Sequence, residues 1–349
     1  MLYVGVDQHK KFSQVAVMNE TGSIMDNRRL YHCDKEGIRR YFEELGEETT
    51  AVLEATRNWY WLYDLLEEKV SKVKMAHPAK VRLIAEARTK TDKIDATVLA
   101  QLERTGFLPE AYVCSQDVRG RREIHRFRIA LVRMQTMLKN RVHAVLDKLG
   151  IEHPYADLFG KEGRKFLGSL SLERPYQVEV DICLRLLERY HEELEAVRGE
   201  IRRTLREDSR AALLMSVPGI GEITAYLILH EIGDIKRFAS AKKFASYCAL
   251  VPRTWQSGER SWGGHIGKFG NLYLKWALVE AAHVAVRKDP ALGAFYEYKN
   301  RIKGKGRAIV IVAEKLSRAI YHILSEERDY RYNSLSKRHL GKPVPQLGR

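Results

Sequence analysis

Near Val113 the apolar pattern of this chain changes period, and a change of that kind calls for two architectures placed end to end. Upstream, short apolar runs alternate with short helical patterns. Leu2 to Val6 reads as a buried strand and Phe12 to Met18 as a second. Glu20-Thr21-Gly22-Ser23 supplies turn residues, and a third strand follows near Ile24 to Tyr31. Asp34 caps a helix whose apolar positions, Ile38, Tyr41, Phe42 and Leu45, recur at helical spacing. Thr50 to Glu54 is a fourth strand, Trp59 to Val70 a helix, and Val73 to Ala76 a fifth strand closed by His77-Pro78. This order predicts a mixed α/β sheet.

Downstream the periods are threes and fours. Ile124, Phe127, Leu131, Met134, Leu138, Val142, Val145 and Leu149 form one stripe, ended by Gly150 and Pro154. Val180, Leu184, Leu187, Tyr190, Leu194, Val197, Ile201 and Leu205 form another, on a helix from about Tyr176 to Arg206. Stripes of this type suit a coiled coil. The two helices pair as an antiparallel arm or dimerise, and an ordinary two-helix spacer would carry the same stripe. The fold class is therefore α/β followed by all-α. The expected domains are 1–112, 113–208 and 209–328, with a basic tail, 329–349, expected to be poorly ordered.

Lys and Arg number 60 against 45 Asp and Glu, a net charge of +15 in 349 residues. Such an excess favours a polyanionic partner, DNA or RNA. The four cysteines contain no Cys-x-x-Cys pair, which argues against a zinc ribbon or a disulfide framework and for a reducing compartment. No signal-peptide layout and no apolar run of membrane-spanning length is present. The expectation is a soluble cytoplasmic protein with no membrane partner.

Four carboxylates stand where a metal site would need them. Asp7 ends the run Tyr3-Val4-Gly5-Val6, Glu54 ends Ala51-Val52-Leu53, and Asp92 and Asp95 are spaced to share one helix face. Strand-end acids sit on a rigid frame, and oxygen ligands suit Mg²⁺ or Mn²⁺. A pair of such ions about 3.5–4 Å apart activates a nucleophile and stabilises a leaving oxygen in phosphoryl transfer. Each acid also has a structural reading. Asp92 would complete a capping box with Thr89, Asp95 would favour the helix dipole, and Glu54 would pair with a lysine. His9, beside a strand end, is read as a hydrogen-bonding residue and left out of the ligand set.

Further along, Ser216-Val217-Pro218-Gly219-Ile220-Gly221-Glu222 lies between helical patterns. Gly219 and Gly221 permit a sharp turn that points helix N-terminal amides at an anion, the layout of a helix-hairpin-helix phosphate clamp. A plain tight helical connection would look the same. Pro252 to Gly264 reads as a Gly- and polar-rich loop holding Ser257 between Arg253 and Arg260. A serine there approaches phosphate closely, with arginines to offset charge, and a simple turn residue is the competing reading. Helices resume from Asn271 to Val286 and from Arg307 to Leu324. Between them, Lys299 to Arg307, including Lys303 and Lys305, suits phosphate contact, as do Arg126, Arg133 and Arg141 on the first long helix.

Taken together these motifs resemble those of the bacterial insertion-sequence transposases with a DEDD acidic motif, relatives of the Piv-type DNA invertases, whose characterised members are guided by a structured bridge RNA. The resemblance rests on Gly-Val-Asp7-Gln-His-Lys, Leu-Glu54-Ala-Thr, Thr-Asp92-Lys-Ile-Asp95-Ala, Pro-Gly219-Ile-Gly221-Glu-Ile-Thr-Ala and Leu-Val-Pro-Arg253-Thr-Trp-Gln-Ser257-Gly, in that order. It implies a RuvC-like ribonuclease-H fold, a coiled-coil middle and a C-terminal transposase domain. It makes Asp7, Glu54, Asp92 and Asp95 the metal ligands and Ser257 the nucleophile that attaches to DNA. It also implies donor and target DNA and a non-coding guide RNA as partners. The implied assembly is a homo-oligomer, dimer to tetramer, with active sites shared between subunits. The residues after the Ser-Gly pair, Glu259-Arg260-Ser261-Trp262, are less small and polar than that pattern leads one to expect. Three other activities fit the residues alone: a Piv-type invertase without RNA, a metal-dependent junction nuclease, and a non-catalytic nucleic-acid scaffold.

Overall fold

The structure, a computed structural model, describes residues 1–56, 58–84, 91–257, 260–266 and 270–331, and for 253–257 and 260–266 the backbone only. It divides into two compact units, Met1–Cys114 and Ser115–Arg349.

In the first unit, β1 (Leu2–Gln8), β2 (Phe12–Met18) and β3 (Ile24–Tyr31) form an antiparallel meander, followed by α1 (Lys35–Glu44), β4 (Thr49–Glu54), α2 (Tyr60–Glu67) and β5 (Lys72–Ala76). Then come α3 (Pro78–Ile84), α4 (Asp92–Arg104) and the two-residue β6 (Glu110–Ala111). The sheet order is β3-β2-β1-β4-β5-β6, with β4 parallel to both β1 and β5 and β6 antiparallel to β5. The two central strands β1 and β4 are covered on both faces, which is why their sequences read as near-continuous apolar runs. Val4, Val6, Ala51 and Leu53 face a core with Ile38 and Phe42 of α1 and Leu62 and Leu66 of α2. The alternate positions face α4, where Val52 packs with Ala76 and Leu99. Gly5 lies on that second face, and its backbone approaches α4 so closely that a Cβ would stand 1.9 Å from the Ala96 carbonyl oxygen. That contact seats α4 directly on β1.

Among the described residues, the regular structure of the second unit is helical apart from one hairpin. Its helices are α5 (Gln116–Lys148), α6 (Lys161–Ser169), α7 (Arg174–Arg206), α8 (Arg210–Met215), α9 (Glu222–Ile232) and α10 (Ala241–Tyr247). The hairpin β7 (Pro252–Ser257) and β8 (Arg260–Ile266) follows, then α11 (Leu272–Lys288), α12 (Pro290–Lys303) and α13 (Lys305–Glu326). Helices α5 and α7 run antiparallel within one chain: Arg141 pairs with Glu179, and the Tyr190 hydroxyl lies 3.3 Å from Met134 Sδ. Their stripes feed two clusters, Val142 and Leu146 with Leu158, Leu167 and Cys183 at one end, and Ile201 and Leu205 in the main core at the other. That main core is built around α9, whose residues from Ala225 to Ile232 are all buried.

Several elements depart from the sequence expectation. Helix α5 begins at Gln116 rather than near Ile124, because its first turns are held by polar contacts that leave no apolar stripe: Arg122 Nε donates to the His230 carbonyl oxygen at 2.7 Å. Within the Pro252–Gly264 segment, residues 252–257 and 260–264 belong to a β-hairpin rather than an irregular loop, with Thr254 opposite Gly263 and Ser257 opposite Arg260. The basic stretch Lys299–Arg307 is largely helical. Pro290 opens α12 at its first turn, Asp289 caps it by accepting from the amides of Ala291 and Leu292, and Gly304 (φ +78°) separates it from α13. Helix α2 spans Tyr60–Glu67, shorter than the Trp59–Val70 segment expected. Thr91, not Thr89, caps α4, so Asp92 is the first helical residue; Thr89 itself lies outside the described residues. Most of the tail, 332–349, also lies outside them. No helix among the described residues is long and apolar enough to cross a membrane.

Candidate metal centre and serine hairpin

Asp7 is the penultimate residue of β1 and, by strand alternation, shares the α4 face with Gly5. Glu54 ends β4. The parallel register pairs Val6 with Leu53, so Asp7 and Glu54 each stand one residue beyond that pair, on neighbouring strands. Asp92 and Asp95 open α4, which the contact at Gly5 presses onto the same end of the sheet. The fold thus brings the four predicted carboxylates to one end of the sheet, although strand and helix are far apart in sequence.

The tightest group among the described residues is Asp7, His9 and Asp92, whose candidate ligand atoms all lie within 4.8 Å of one another. His9 Nε2 stands 3.1 Å from Asp7 Oδ2 and 3.3 Å from Asp92 Oδ1. His9 was not expected in the set. The available signal was alternation, since a residue two beyond Asp7 continues to the same side. Two reciprocal hydrogen bonds hold it there: Gln8 Nε2 donates to the Asn58 carbonyl oxygen at 3.1 Å, and Asn58 Nδ2 donates to the His9 carbonyl oxygen at 3.1 Å. Arg29 closes the outer side, its Nη2 3.3 Å from Asp92 Oδ2 and its guanidinium 4.5 Å from the Phe12 ring centre.

Electrostatics mark the same place. Burial pushes the Asp7 carboxyl above its ordinary pKa, His9 opposes the shift, and the charges of Asp95 and Asp92 add to it. Three carboxylates crowded at a half-closed edge repel one another, and a divalent cation relieves that repulsion. The donor set, mostly carboxylate oxygen, fits a hard cation such as Mg²⁺ or Mn²⁺.

In the second unit Ser257 ends β7, and Arg253 lies on the same strand with Arg260 opening β8. Gly219 (φ +89°) and Gly221 link α8 to α9. A Cβ on Gly219 would meet the Ala281 carbonyl oxygen at 2.3 Å, so this glycine lets the turn pack on α11, while Gly221 is the N-cap of α9 and has open space around it. The predicted cations sort by position. Arg133, Lys303 and Lys305 are exposed. Arg141 is paired with Glu179, and Arg126 is engaged internally, both its Nε and Nη2 reaching the Glu231 carboxylate at 3.1 and 3.3 Å.

An acidic cluster at the strand ends of a mixed sheet is joined in one chain to a helical unit carrying a hairpin, and the comparisons group that chain with DEDD-type transposases. The family models agree with both halves: residues 4–151 match a DEDD transposase domain of the IS110 type, and residues 211–297 match the transposase IS116/IS110/IS902 family. The chain belongs to this IS110/IS116/IS902 family. It is 29% identical over 269 residues to the transposase of insertion sequence IS1328 of Yersinia enterocolitica, which covers 73% of this chain and 77% of that protein. It is 25% identical over 343 residues to a probable family 20 transposase of Pseudomonas aeruginosa, covering 94% and 98%. The pilin gene-inverting protein of Moraxella bovis is 35% identical over 127 residues, 35% of this chain and 38% of that one.

Proposed function

We propose that the protein is an RNA-guided DNA transposase that cuts and rejoins strands through a phosphoserine intermediate, with divalent metal held by Asp7, Glu54, Asp92 and Asp95. The observation that carries the reading is the convergence of Asp7 from β1 and Asp92 from α4 on one ring nitrogen of His9, with Asp95 acting electrostatically on Asp7. The order β3-β2-β1-β4-β5, antiparallel through β1 and parallel from β1 to β5, supports a RuvC-like ribonuclease-H fold for 1–112. The antiparallel α5–α7 pair supports a coiled-coil arm for 113–208, and 209–328 then forms the transposase domain.

When bound, Mg²⁺ or Mn²⁺ supplies Lewis-acid polarisation of the scissile phosphate. Asp7 and Asp92 hold the site, and Arg29 keeps Asp92 turned towards it. Ser257 attacks phosphorus through its oxygen. A serine–phosphate bond forms, the strand's phosphorus–oxygen bond breaks, and the serine proton ends on the departing hydroxyl. A hydroxyl from the partner strand then reverses the exchange, so bond energy is conserved. The acids and the serine belong to different units of the chain, which suits a site completed between subunits, in a tetramer acting on donor and target DNA at the bacterial nucleoid. Arg133, Lys303 and Lys305 contact nucleic-acid backbone.

The test is a covalent adduct. Protein, RNA, donor and target DNA are incubated with Mg²⁺ and resolved under denaturing conditions. An adduct that disappears with Ser257→Ala is expected, and one of undiminished yield in that variant refutes the serine role. The likeness to the pilin gene-inverting protein favours one second reading, a DNA-inverting recombinase, which we take to act without RNA. Ribonuclease treatment separates the two: activity that survives it supports the RNA-independent reaction.

A further inference from the structure

The serine hairpin leaves the helical core through a narrow neck. Tyr247 ends α10, and its carbonyl oxygen accepts from the Asn271 amide at 2.7 Å. Gly270 and Ala249 meet across this neck. A Cβ on Gly270 (φ +123°) would lie 2.7 Å from the Tyr247 carbonyl oxygen and 3.0 Å from Ala249 Cβ, and Ala249 itself holds a φ of +53°. A left-handed alanine is strained, and strain of that kind persists only where surrounding contacts hold it.

Through Asn271 the neck is also tied to Glu231, the penultimate residue of α9, which is 1% exposed. Asn271 Nδ2 donates to Glu231 Oε2 at 2.7 Å, while Asn271 Oδ1 accepts from the amides of Tyr273 and Leu274 and so caps α11. Arg126 of α5 donates to both Glu231 oxygens, and Arg122 donates to the main-chain oxygens of His230 and Glu231 at 2.7 and 3.0 Å. One buried carboxylate therefore ties the arm helix α5 to the residue that re-enters the core from the hairpin. The main core around it is apolar, and an apolar residue would serve cohesion there at least as well, because a buried ion pair is costly to desolvate. What the ion pair adds is direction: its hydrogen bonds fix where Asn271 stands on the chain's return to the core.

We propose that Glu231 is a positioning residue for Ser257, holding the hairpin neck at a fixed angle to α5 through Asn271 and Arg126. The proposal rests on the serine reading given above. It acts through geometry, since misplacement of a reacting group by about 1 Å costs on the order of a hundredfold in rate.

Two variants test it. Glu231→Gln removes the charge and one of the paired acceptors. Asn271→Ser keeps a helix cap but removes the donor to Glu231, and so decides the matter if Glu231→Gln does not fold. Full-length protein is assayed for the rate of adduct formation at saturating donor DNA, for the DNA concentration giving half that rate, and for amide exchange at Asn271. The expected result is an adduct rate lower by about tenfold or more, an unchanged half-saturation, and faster exchange of the Asn271 amide. Wild-type rates in the folded variants overturn the proposal, as does a loss of DNA binding that accounts for the whole effect. A wild-type protein that forms no serine-dependent adduct refutes the serine reading itself and removes the proposal with it. An adduct lost in Ser257→Ala but unaffected in both neck variants refutes the proposal alone.

Discussion

Gly5→Ala is a one-methyl change at the point that sets the distance between Asp7 and α4. The added Cβ would stand 1.9 Å from the Ala96 carbonyl oxygen, 2.7 Å from the Ala100 nitrogen and 3.0 Å from the Ala96 carbonyl carbon. All three are backbone atoms, so no side chain can swing aside. To reach even 3.0 Å from the oxygen, the helix must retreat by about 1 Å, and a close-packed interior passes that shift along rather than absorbing it. Overpacking of this kind costs roughly 1–3 kcal/mol. Because Asp95 immediately precedes Ala96, the retreat carries the α4 carboxylates away from Asp7, and about 1 Å of misplacement predicts a loss near a hundredfold in rate. Urea unfolding reads the first effect and adduct formation at saturating DNA and Mg²⁺ the second. Gly120→Ala, on α5 with no atom within 4 Å of the added Cβ, is the control and should gain roughly 0.5–1 kcal/mol. If Gly5→Ala keeps wild-type activity with its stability within about 0.5 kcal/mol of wild type, the close approach of β1 to α4 does not set the site.

Two further outcomes follow from single contacts. Thr91 Oγ1 accepts from the Ile94 amide at 3.3 Å, so Thr91→Ala should cost about 1 kcal/mol in urea unfolding and Thr91→Ser much less. Burial holds the imidazoles of His125 and His230 down at pKa values of about 4, against 6.5 for the free group, with Arg128 and Arg126 reinforcing the shift at His125. The unfolded chain then binds more protons between those values. The stability contributed by the neutral rings is complete above pH 6.5 and is lost as pH falls towards 4, by about 2 kcal/mol per histidine between pH 7 and 5. Urea midpoints measured across that range should fall, and His125→Gln should flatten the slope by about half; a slope untouched by removing either ring contradicts their burial as neutral groups.

The parts of this fold that were legible in the sequence are those whose signal is local. Strands β2 and β3 match their expected residues, and β1, β4 and β5 differ by one or two, because β1 and β4 are buried on both faces and a turn containing Gly22 separates β2 from β3. The carboxylates were visible because strand ends and a helix start are positions that sequence alone can name. His9 was not, since its role depends on Asp92 arriving from another element. Helix α12 was hidden by Pro290, which reads as a breaker until Asp289 is seen to cap the helix it opens. The hairpin was hidden by its composition, since Gly and polar residues in β7 and β8 carry no apolar alternation. Glu231 had no signal at all: a charged residue in an apolar helix acquires meaning only from Arg126 and Asn271, which are remote in sequence.

Net charge illustrates the same limit in a form that matters for function. A value of +15 suggests a broad basic surface, yet much of the arginine at the candidate sites is committed within the fold. Arg29 faces Asp92, Arg122 and Arg126 converge on the end of α9, and Arg141 faces Glu179. These side chains shape the protein and are only partly available to phosphate, because moving Arg126 to an external anion would leave Glu231 buried with a donor fewer. The exposed cations Arg133, Lys303 and Lys305 carry no such obligation. Charge therefore does two different jobs in this chain. On the surface it supplies attraction that is indifferent to sequence, and in the interior it fixes angles: that of Asp92 at the candidate metal centre and that of Asn271 at the neck of the hairpin. Each half of the proposed active site is held by an arginine that composition alone would assign to nucleic acid.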